Sequence, residues 1–567
     1  MSYQPLPVGV DNFEKLITRG YYYVDKTMFI KELLDKKGDV SLFTRPRRFG
    51  KTLNISMLQY FFEDARDYTG EKIDNSSLFE GLGIMGCGSM YLDHMGKYPV
   101  ISLSLKSAKQ EDFEQSFAAL ADDIAEEFRR HEYLLKSECM DTFMKERYRE
   151  IMSWKAGRTE YNKSLKFLSE CLYRYYGRKV IILIDEYDVP LESAHTNGYY
   201  SQMVNFIRSL FESALKTNPY LEFAVMTGCL RVSKESIFTG MNNLEIISIL
   251  NSNYDEYFGL TESEVRQMCE NYGLTAQFAR IKAWYDGYIF GEEHVYNPWS
   301  MICYIKDLLA NSREYPASYW ANTSSNSIVR ELIRRADGDV KAEIEGLIGG
   351  KTIEKPVHED ITYSEIYESM DHLWNFMFFT GYFRKAGERF EESSGQRYLS
   401  LAIPNEEIRY IFRNQVLNWF HEQVKERDRS RLFGAIVSMD GDIVKEEIEM
   451  MLKKTISFQD AYESFYHGFL AGILYGMEDY IVKSNREGGR GRTDLFIKPV
   501  SRRKTAFVIE FKIAGSVKSL AAKAREALRQ IAEKEYEREL LDDGYDSIAW
   551  YGVAFCGKDC EVEVKGV

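Results

Sequence analysis

Asp494, Glu510 and Lys512 are the residues whose types and spacing most directly suggest chemistry: an acid on one predicted strand and a Glu-x-Lys on the next. Metal-dependent phosphodiester cleavage needs oxygen ligands for Mg²⁺, which lowers the pKa of a bound water and neutralises charge growing on phosphate. A nearby lysine can place the water or meet the transition-state charge. Thr493 to Ile497 reads as one strand, 499–504 as a turn and 505–512 as its antiparallel partner, so Glu510 and Lys512 share one face and Ile509 and Phe511 the other. Asp494 and Glu510 then hold the metal and Lys512 is catalytic. The plainer alternative is a surface strand end with a salt bridge worth ~0–1 kcal/mol. The glycine-rich stretch 486–492 would admit a phosphate backbone, whereas His467, beside Tyr466, is read as structural rather than as a ligand or base.

A second cluster lies far upstream. A phosphate-binding loop needs backbone N–H groups at a helix N-terminus, a lysine for the β/γ-phosphates and a hydroxyl for Mg²⁺. Arg45-Pro46-Arg47-Arg48-Phe49-Gly50-Lys51-Thr52 supplies that pattern except at its first position, where Arg45 replaces glycine. Arg45, Arg47 and Arg48 would put unusual positive charge beside the phosphates, with Arg47, Arg48, Phe49 and Gly50 in the nucleotide-contacting loop. The apolar run Val180 to Ile184 followed by Asp185-Glu186 is the second half of such a site. A buried strand ending in an acid puts Asp185 with Thr52 where Mg²⁺ would sit, and Glu186 where it would polarise the attacking water. Thr227, ending a further strand, would sense the γ-phosphate, and Arg231 would stabilise transferred charge; the alternative for both is an ordinary loop residue.

These residues need α/β scaffolds. Short apolar runs at 41–44, 180–184 and 221–227 alternate with helical patterns at 53–62, 112–153, 161–176 and about 201–216, implying parallel βαβ units. After residue 250 come helices and aromatic turns, and 330–455 reads as mostly amphipathic helix, with Leu373 to Phe379 as an apolar block. At 567 residues the chain exceeds one core. The expected segments are a P-loop domain at 1–250, a helical lid at 251–330, a helical connecting region at 331–430 and an α/β domain at 431–567, with the charged run 425–431 as the last boundary. The net charge of −14 hides a basic island, thirteen Lys/Arg against four Asp/Glu in 481–530, where a polyanion would bind. Eight scattered cysteines without metal spacing read as reduced thiols, and the missing leader and membrane-length apolar run give a cytoplasmic expectation.

Leu6-Pro7-Val8-Gly9, Tyr23-Val24-Asp25-Lys26-Thr27, the 45–52 loop, Thr227 to Phe238, Tyr285-Asp286-Gly287-Tyr288 and Tyr296-Asn297-Pro298-Trp299 resemble the bacterial AAA-ATPase-like family over roughly the first 300 residues. That family's own loop has the arginine at the position of Arg45. The C-terminal part resembles the PD-(D/E)XK nuclease superfamily, with Thr493 in place of its proline. The resemblance implies a restriction-endonuclease-like α/β fold there, adds Glu463 as a further metal-binding acid, and matches Gln530 and Tyr536 loosely to a Gln/Tyr element of some branches. The combined expectation is an ATP- and Mg²⁺-binding ATPase whose module controls a nuclease acting on nucleic acid, DNA ahead of RNA, with homo-oligomers allowed. Two alternatives stand beside it: an ATP-dependent nucleic-acid-binding switch with a non-cleaving nuclease fold, and a protein-remodelling ATPase with a structural C-terminal domain.

Overall fold

Five short strands build the first sheet. They are β1 (Val40–Thr44), β2 (Val100–Ser104), β3 (Val180–Asp185), β4 (Leu221–Gly228) and β5 (Leu244–Ile247), in the order β2-β3-β4-β1-β5 with every pairing parallel. β1 and β3 are buried along their whole length, as runs without alternation must be when helices cover both faces. The helix Lys51–Phe62 follows β1 directly, so the loop between them lies at the C-terminal edge of the sheet. The stretch expected as one helix over 112–153 is two, Phe113–Arg130 and Thr142–Met152. The break is local: a 3₁₀ turn at Glu132–Lys136 ends the first, and the Asp141 carboxylate caps the second by accepting from Met144 N.

The structure, a computed structural model, describes residues 3–231, 237–238, 240–320, 327–336, 338–359, 363, 365–366, 368–425, 428–453, 463–474, 477, 479–488 and 491–566. It divides into two compact units, Met1–Ser324 with Glu354–Ile408 and Ser325–Ile353 with Arg409–Val567.

In the first unit, the helices Glu262–Asn271, Phe278–Tyr285 and Pro298–Ala310 surround a core of Tyr285, Tyr296, Met301 and Tyr304, joined by a small sheet of β6 (Leu260–Thr261), β7 (Tyr288–Phe290) and β8 (Glu293–Tyr296). The N-terminal segment is tied to them by Lys26, whose buried ammonium donates to both Glu264 carboxylate oxygens and to Glu256 O. The apolar block Leu373 to Phe379 forms the buried helix Met370–Phe379. Beside the helices, the middle region carries a three-stranded sheet of β9 (Ile353–Pro356), β10 (Arg384–Glu391) and β11 (Gln396–Ala402). Its strands are charged on their exposed face, with Arg397 on Glu388 and Arg389 on Glu354, which hides the two-residue period from a hydrophobic pattern.

The second unit holds a mixed sheet in simple order, β12 (Tyr480–Gly488), β13 (Gly491–Pro499), β14 (Ala506–Ile513), β15 (Ile548–Cys556) and β16 (Asp559–Gly566). β14 and β15 are parallel and the other pairs antiparallel. The helix Leu520–Lys534 crosses between β14 and β15 and buries Leu520, Ala524, Ala527 and Ile531. Its approach is set by Gly552 on β15, where a Cβ would sit 2.2 Å from Ala524 O and 2.9 Å from Leu528 Cγ. Gly552→Ala is therefore expected to push this helix off the sheet and destabilise the second unit by about 1–3 kcal/mol. Thermal unfolding of the variant at the parental midpoint would contradict that packing.

Candidate functional site

The loop that follows β1 is built around an arginine that faces inward. Arg45 is fully buried, donates to Thr44 O and Ile247 O at 3.0 and 2.9 Å, and lies over the rings of Phe258 and Phe290. Burial pulls its guanidinium down to about 9. Its charge is therefore spent in the core rather than beside a phosphate, which corrects the expectation for that position. Pro46 packs against Gly381, where a Cβ would come within 3.0 Å. Arg47 pairs with Glu192 at 2.5 Å, Arg48 (φ 71°) lies over the Trp299 ring, and Phe49 is buried against Tyr288 and Phe290. Gly50, at φ 84°, takes the left-handed turn into the helix Lys51–Phe62, whose first turn has no side-chain cap.

Lys51 Nζ donates to Arg45 O and Pro46 O, each at 2.9 Å. Thr52 Oγ1 donates to Asp185 Oδ2 at 2.7 Å, and Thr227 Oγ1 donates to Asp185 Oδ1. The fold thus gathers Lys51, Thr52, Asp185 and Thr227 at adjoining ends of β1, β3 and β4. An uncapped helix N-terminus with a lysine, a hydroxyl and a carboxylate is a donor set that fits a phosphate and a hard cation. Glu186 has a left-handed backbone (φ 53°), and burial, then the Asp185 charge, raise its pKa. Arg231 is held by Glu359 at 3.0 Å. Of the Thr227 to Phe238 motif, residues 232–236 lie outside the described residues.

Several further residues hold the loop and its surroundings in place. Asp188 is buried and accepts from Cys229 N and Leu230 N, fixing the turn after β4. Arg47 O faces Asn297 Nδ2 and Trp320 Nε1 at 3.5 and 3.4 Å. Trp320 N donates to Glu407 at 2.8 Å, and Ser300 Oγ donates to both Glu407 oxygens. Asn297 belongs to a turn legible in sequence; Glu407 and Trp320 lie too far along the chain to be linked to the loop by pattern.

In the second unit, the β13–β14 register ends at Leu495 opposite Ile509, which puts Asp494 opposite Glu510. Like charges at such a pair repel, and side chains replace the ladder there. Asp494 N donates to Glu510 Oε2 at 3.4 Å, and Phe511 N donates to Asp494 Oδ2 at 3.0 Å. Glu510 is only 3% exposed; burial, then the Asp494 charge, raise its pKa. Lys512 Nζ reaches Glu510 Oε1 at 3.3 Å, and Gln530 Nε2 bridges Glu510 Oε1 to Tyr536 OH, the latter at 3.2 Å. Asp494, Glu510 and Lys512 are thus brought together with Gln530 and Tyr536. No cluster of three or more metal-ligating side chains occurs among the described residues. Two facing carboxylates nevertheless fit Mg²⁺, which commonly takes one or two and completes its shell with water and phosphate. Glu463 begins the helix Glu463–Leu474; its side chain, like those of His467 and residues 484–493, lies outside the described residues.

The basic island is less free than its count suggests. Lys498 is buried between Glu539 and Asp543, and Lys504, Lys523 and Arg525 pair with Asp479, Glu526 and Glu563. Arg502, Arg503, Lys518 and Arg529 are exposed.

Residues 7–238 match the family model described as Predicted AAA-ATPase, and residues 461–565 match the PD-(D/E)XK nuclease superfamily. The chain therefore carries an AAA-ATPase-like domain and a nuclease-superfamily domain within an α/β fold. A protein of Azotobacter chroococcum mcd 1, described as an uncharacterized protein in the vnfD 5'region, is 30% identical over 345 residues, or 59% of this chain. The match spans 58% of that relative's length. Among the described residues no helix is long and apolar enough to cross a membrane.

Burial pushes Glu407 up to about 7 from 4.5, against the donors Trp320 N and Ser300 Oγ. The folded protein then keeps a proton that the unfolded chain has lost, so this group's contribution to stability falls as pH rises from about 4.5 to about 7 and levels above. Across that window Glu407→Gln should gain about 2 kcal/mol on the parent. Unfolding midpoints of the two proteins at pH 5, 6, 7 and 8 would show it; parallel pH profiles would sink it.

Proposed function

We propose that this protein is an ATP-binding and -hydrolysing protein whose AAA-ATPase-like domain controls a Mg²⁺-dependent nuclease domain acting on nucleic acid, DNA ahead of RNA. The observation that carries this reading is the buried Glu510 facing the half-buried Asp494, with Lys512 and Gln530 on it, inside the nuclease-superfamily match. A structural salt bridge has no need of a second carboxylate facing the first, since that repulsion costs free energy unless a cation offsets it.

At the nucleotide site, Lys51 would leave the Arg45 and Pro46 carbonyls for the β/γ-phosphates, and the first-turn N–H groups would hold the same oxygens. Thr52 and Asp185 would hold the Mg²⁺, directly or through water. Arg47, Arg48, Phe49 and Gly50 would shape the loop. Glu186, with its raised pKa, is suited to take the proton of the attacking water. Thr227, already on Asp185, would report the γ-phosphate, and Arg231 would exchange Glu359 for developing phosphate charge.

At the nuclease site, Asp494 and Glu510 would hold the metal, with Glu463 as a third acid. A bound Mg²⁺ supplies an activated water and stabilises charge on the phosphate. Lys512 would orient that water, while Gln530 and Tyr536 hold Glu510 in place. The exposed Arg502, Arg503, Lys518 and Arg529 are among the described cations of the island that would meet the nucleic-acid backbone.

Purified protein should cleave DNA with Mg²⁺ or Mn²⁺, and Lys512→Ala or Glu510→Ala should lower the rate by about 10²-fold or more. Lys51→Ala should abolish any response of cleavage to ATP. Parental cleavage by Lys512→Ala would overturn the catalytic assignment. No cleavage of DNA or RNA by the parent, with nucleic-acid binding intact, would favour the non-cleaving switch instead.

A further inference from the structure

Two side chains from far along the chain converge on one carbonyl of the phosphate loop. Asn297 Nδ2 and Trp320 Nε1 face Arg47 O at 3.5 and 3.4 Å, and the residue that follows, Arg48, has φ 71° and lays its guanidinium over the Trp299 ring. Arg47 and Arg48 are the central residues of a turn. A positive φ at the second of these is the geometry of a type II turn, which glycine or asparagine normally supplies. In any residue with a side chain that backbone crowds Cβ against the carbonyl oxygen, so here the turn is held from outside.

Both donors are tied to one carboxylate. Glu407 is fully buried and accepts from Trp320 N at 2.8 Å and from Ser300 Oγ at 3.0 and 2.9 Å, while Ser300 N is capped by Asn297 Oδ1 at 3.2 Å. No cation pairs with Glu407 among the described residues. A carboxyl group buried among neutral donors is a poor source of stability, and what it adds is orientation: it fixes the segments of Asn297 and Trp320 against each other. The 47–48 peptide is trans, so its C=O and N–H point in opposite directions. Drawing Arg47 O toward Asn297 and Trp320 turns Arg48 N–H away from them, and that N–H has no acceptor among the described residues. Left-handed residues set among right-handed ones aim successive N–H groups into a concavity that binds anions, and this loop has two, Arg48 and Gly50. A flip of the 47–48 peptide would let Arg48 relax to negative φ and would swing its N–H to the side that Arg47 O now occupies.

We propose that Glu407 is a positioning residue for nucleotide binding: through Trp320 and Asn297 it fixes the 47–48 peptide in the orientation that turns Arg48 N–H to the phosphates. The proposal rests on the phosphate site proposed above and adds what sets its loop.

Calorimetric titration of the full chain with Mg²⁺ and ATP or inorganic tripolyphosphate tests it, because the dissociation constant reports folded molecules and the stoichiometry reports their share. Trp320→Phe, which keeps an aromatic ring against Tyr382 and deletes Nε1–H, should weaken both ligands about tenfold, the loss of one N–H bond to a charged group. Glu407→Ala should weaken them at least as much, and Glu407→Gln, whose amide oxygen still accepts from Trp320 N, should restore binding to within about threefold of the parent. In an Arg48→Gly background, where positive φ is free of strain, Trp320→Phe should weaken binding by less than about twofold; a residue that only stabilises the fold shows no such dependence. Parental affinity in Trp320→Phe, or an equal loss in the two backgrounds, would overturn the proposal while leaving the phosphate site standing. Binding by Glu407→Gln as weak as by Glu407→Ala would do the same. Failure of the parent to bind either ligand would overturn the phosphate site itself, and the role of Glu407 with it.

Discussion

A strand buried on both faces can present chemistry only where it ends. β3 and β14 are such strands, and each carries its acid at or near its C-terminal end: Asp185 on β3, and Glu510 three residues before the end of β14. Covering helices supply the stability and close off the faces, so the side chains that meet solvent or substrate gather at the strand ends and the loops beyond them. Thr52 and Thr227 meet at Asp185 because β1 and β4 are neighbours in the same parallel sheet and finish at the same level. Asp494 meets Glu510 because the antiparallel register of β13 allows no other partner. Both sites follow from sheet geometry before any question of catalysis arises.

The same burial explains which charges are available and which are structural. Arg45 and Lys498 look alike in sequence to the cations around them, yet both lie in the interior, one on main-chain carbonyls and aromatic rings and the other between two carboxylates. A charge in such a place needs partners of good geometry, and removing one partner costs far more than the pair contributes. These residues order their surroundings and cannot leave to meet a ligand. Lys51 differs: it is buried too, but its partners are two carbonyls of its own loop and the Cys229 sulfur, an arrangement that a phosphate can replace with stronger, charge-assisted bonds.

Legibility in the sequence followed the same division. The strands that carry Asp185 and Glu510 and the helix after the loop are readable, because continuous apolar runs and helical periods survive without tertiary information. Thr52 with Asp185, and Asp494 with Glu510, were paired from motif order alone, and geometry brings each pair together. The inward course of Arg45 was not readable, since an arginine in a phosphate loop points to the ligand by default. The sheet β9–β11 was hidden by its charged outer face, and the single helix expected over 112–153 ignored the caps that divide it. The Asn297–Trp320–Glu407 contacts were beyond reach for a different reason: they join segments far apart in the chain, Asn297 and Trp320 at the Arg47 carbonyl and Glu407 at Trp320 N, and no local pattern records that.

Those contacts bear on how a phosphate loop without its first glycine can work. A glycine at that position lets the chain turn by conformational freedom alone. Here the turn is held from outside: Arg45 anchors its entry in the core, Pro46 rests on Gly381, and Arg47 O faces Asn297 and Trp320. Freedom is replaced by fixed partners drawn from beyond the matched ATPase segment. The loop thus loses less entropy when it closes on an anion, because much of its ordering has already occurred on folding. It also depends on the 354–408 segment, which would make that segment part of the proposed nucleotide site in energetic terms even where it contributes no ligand.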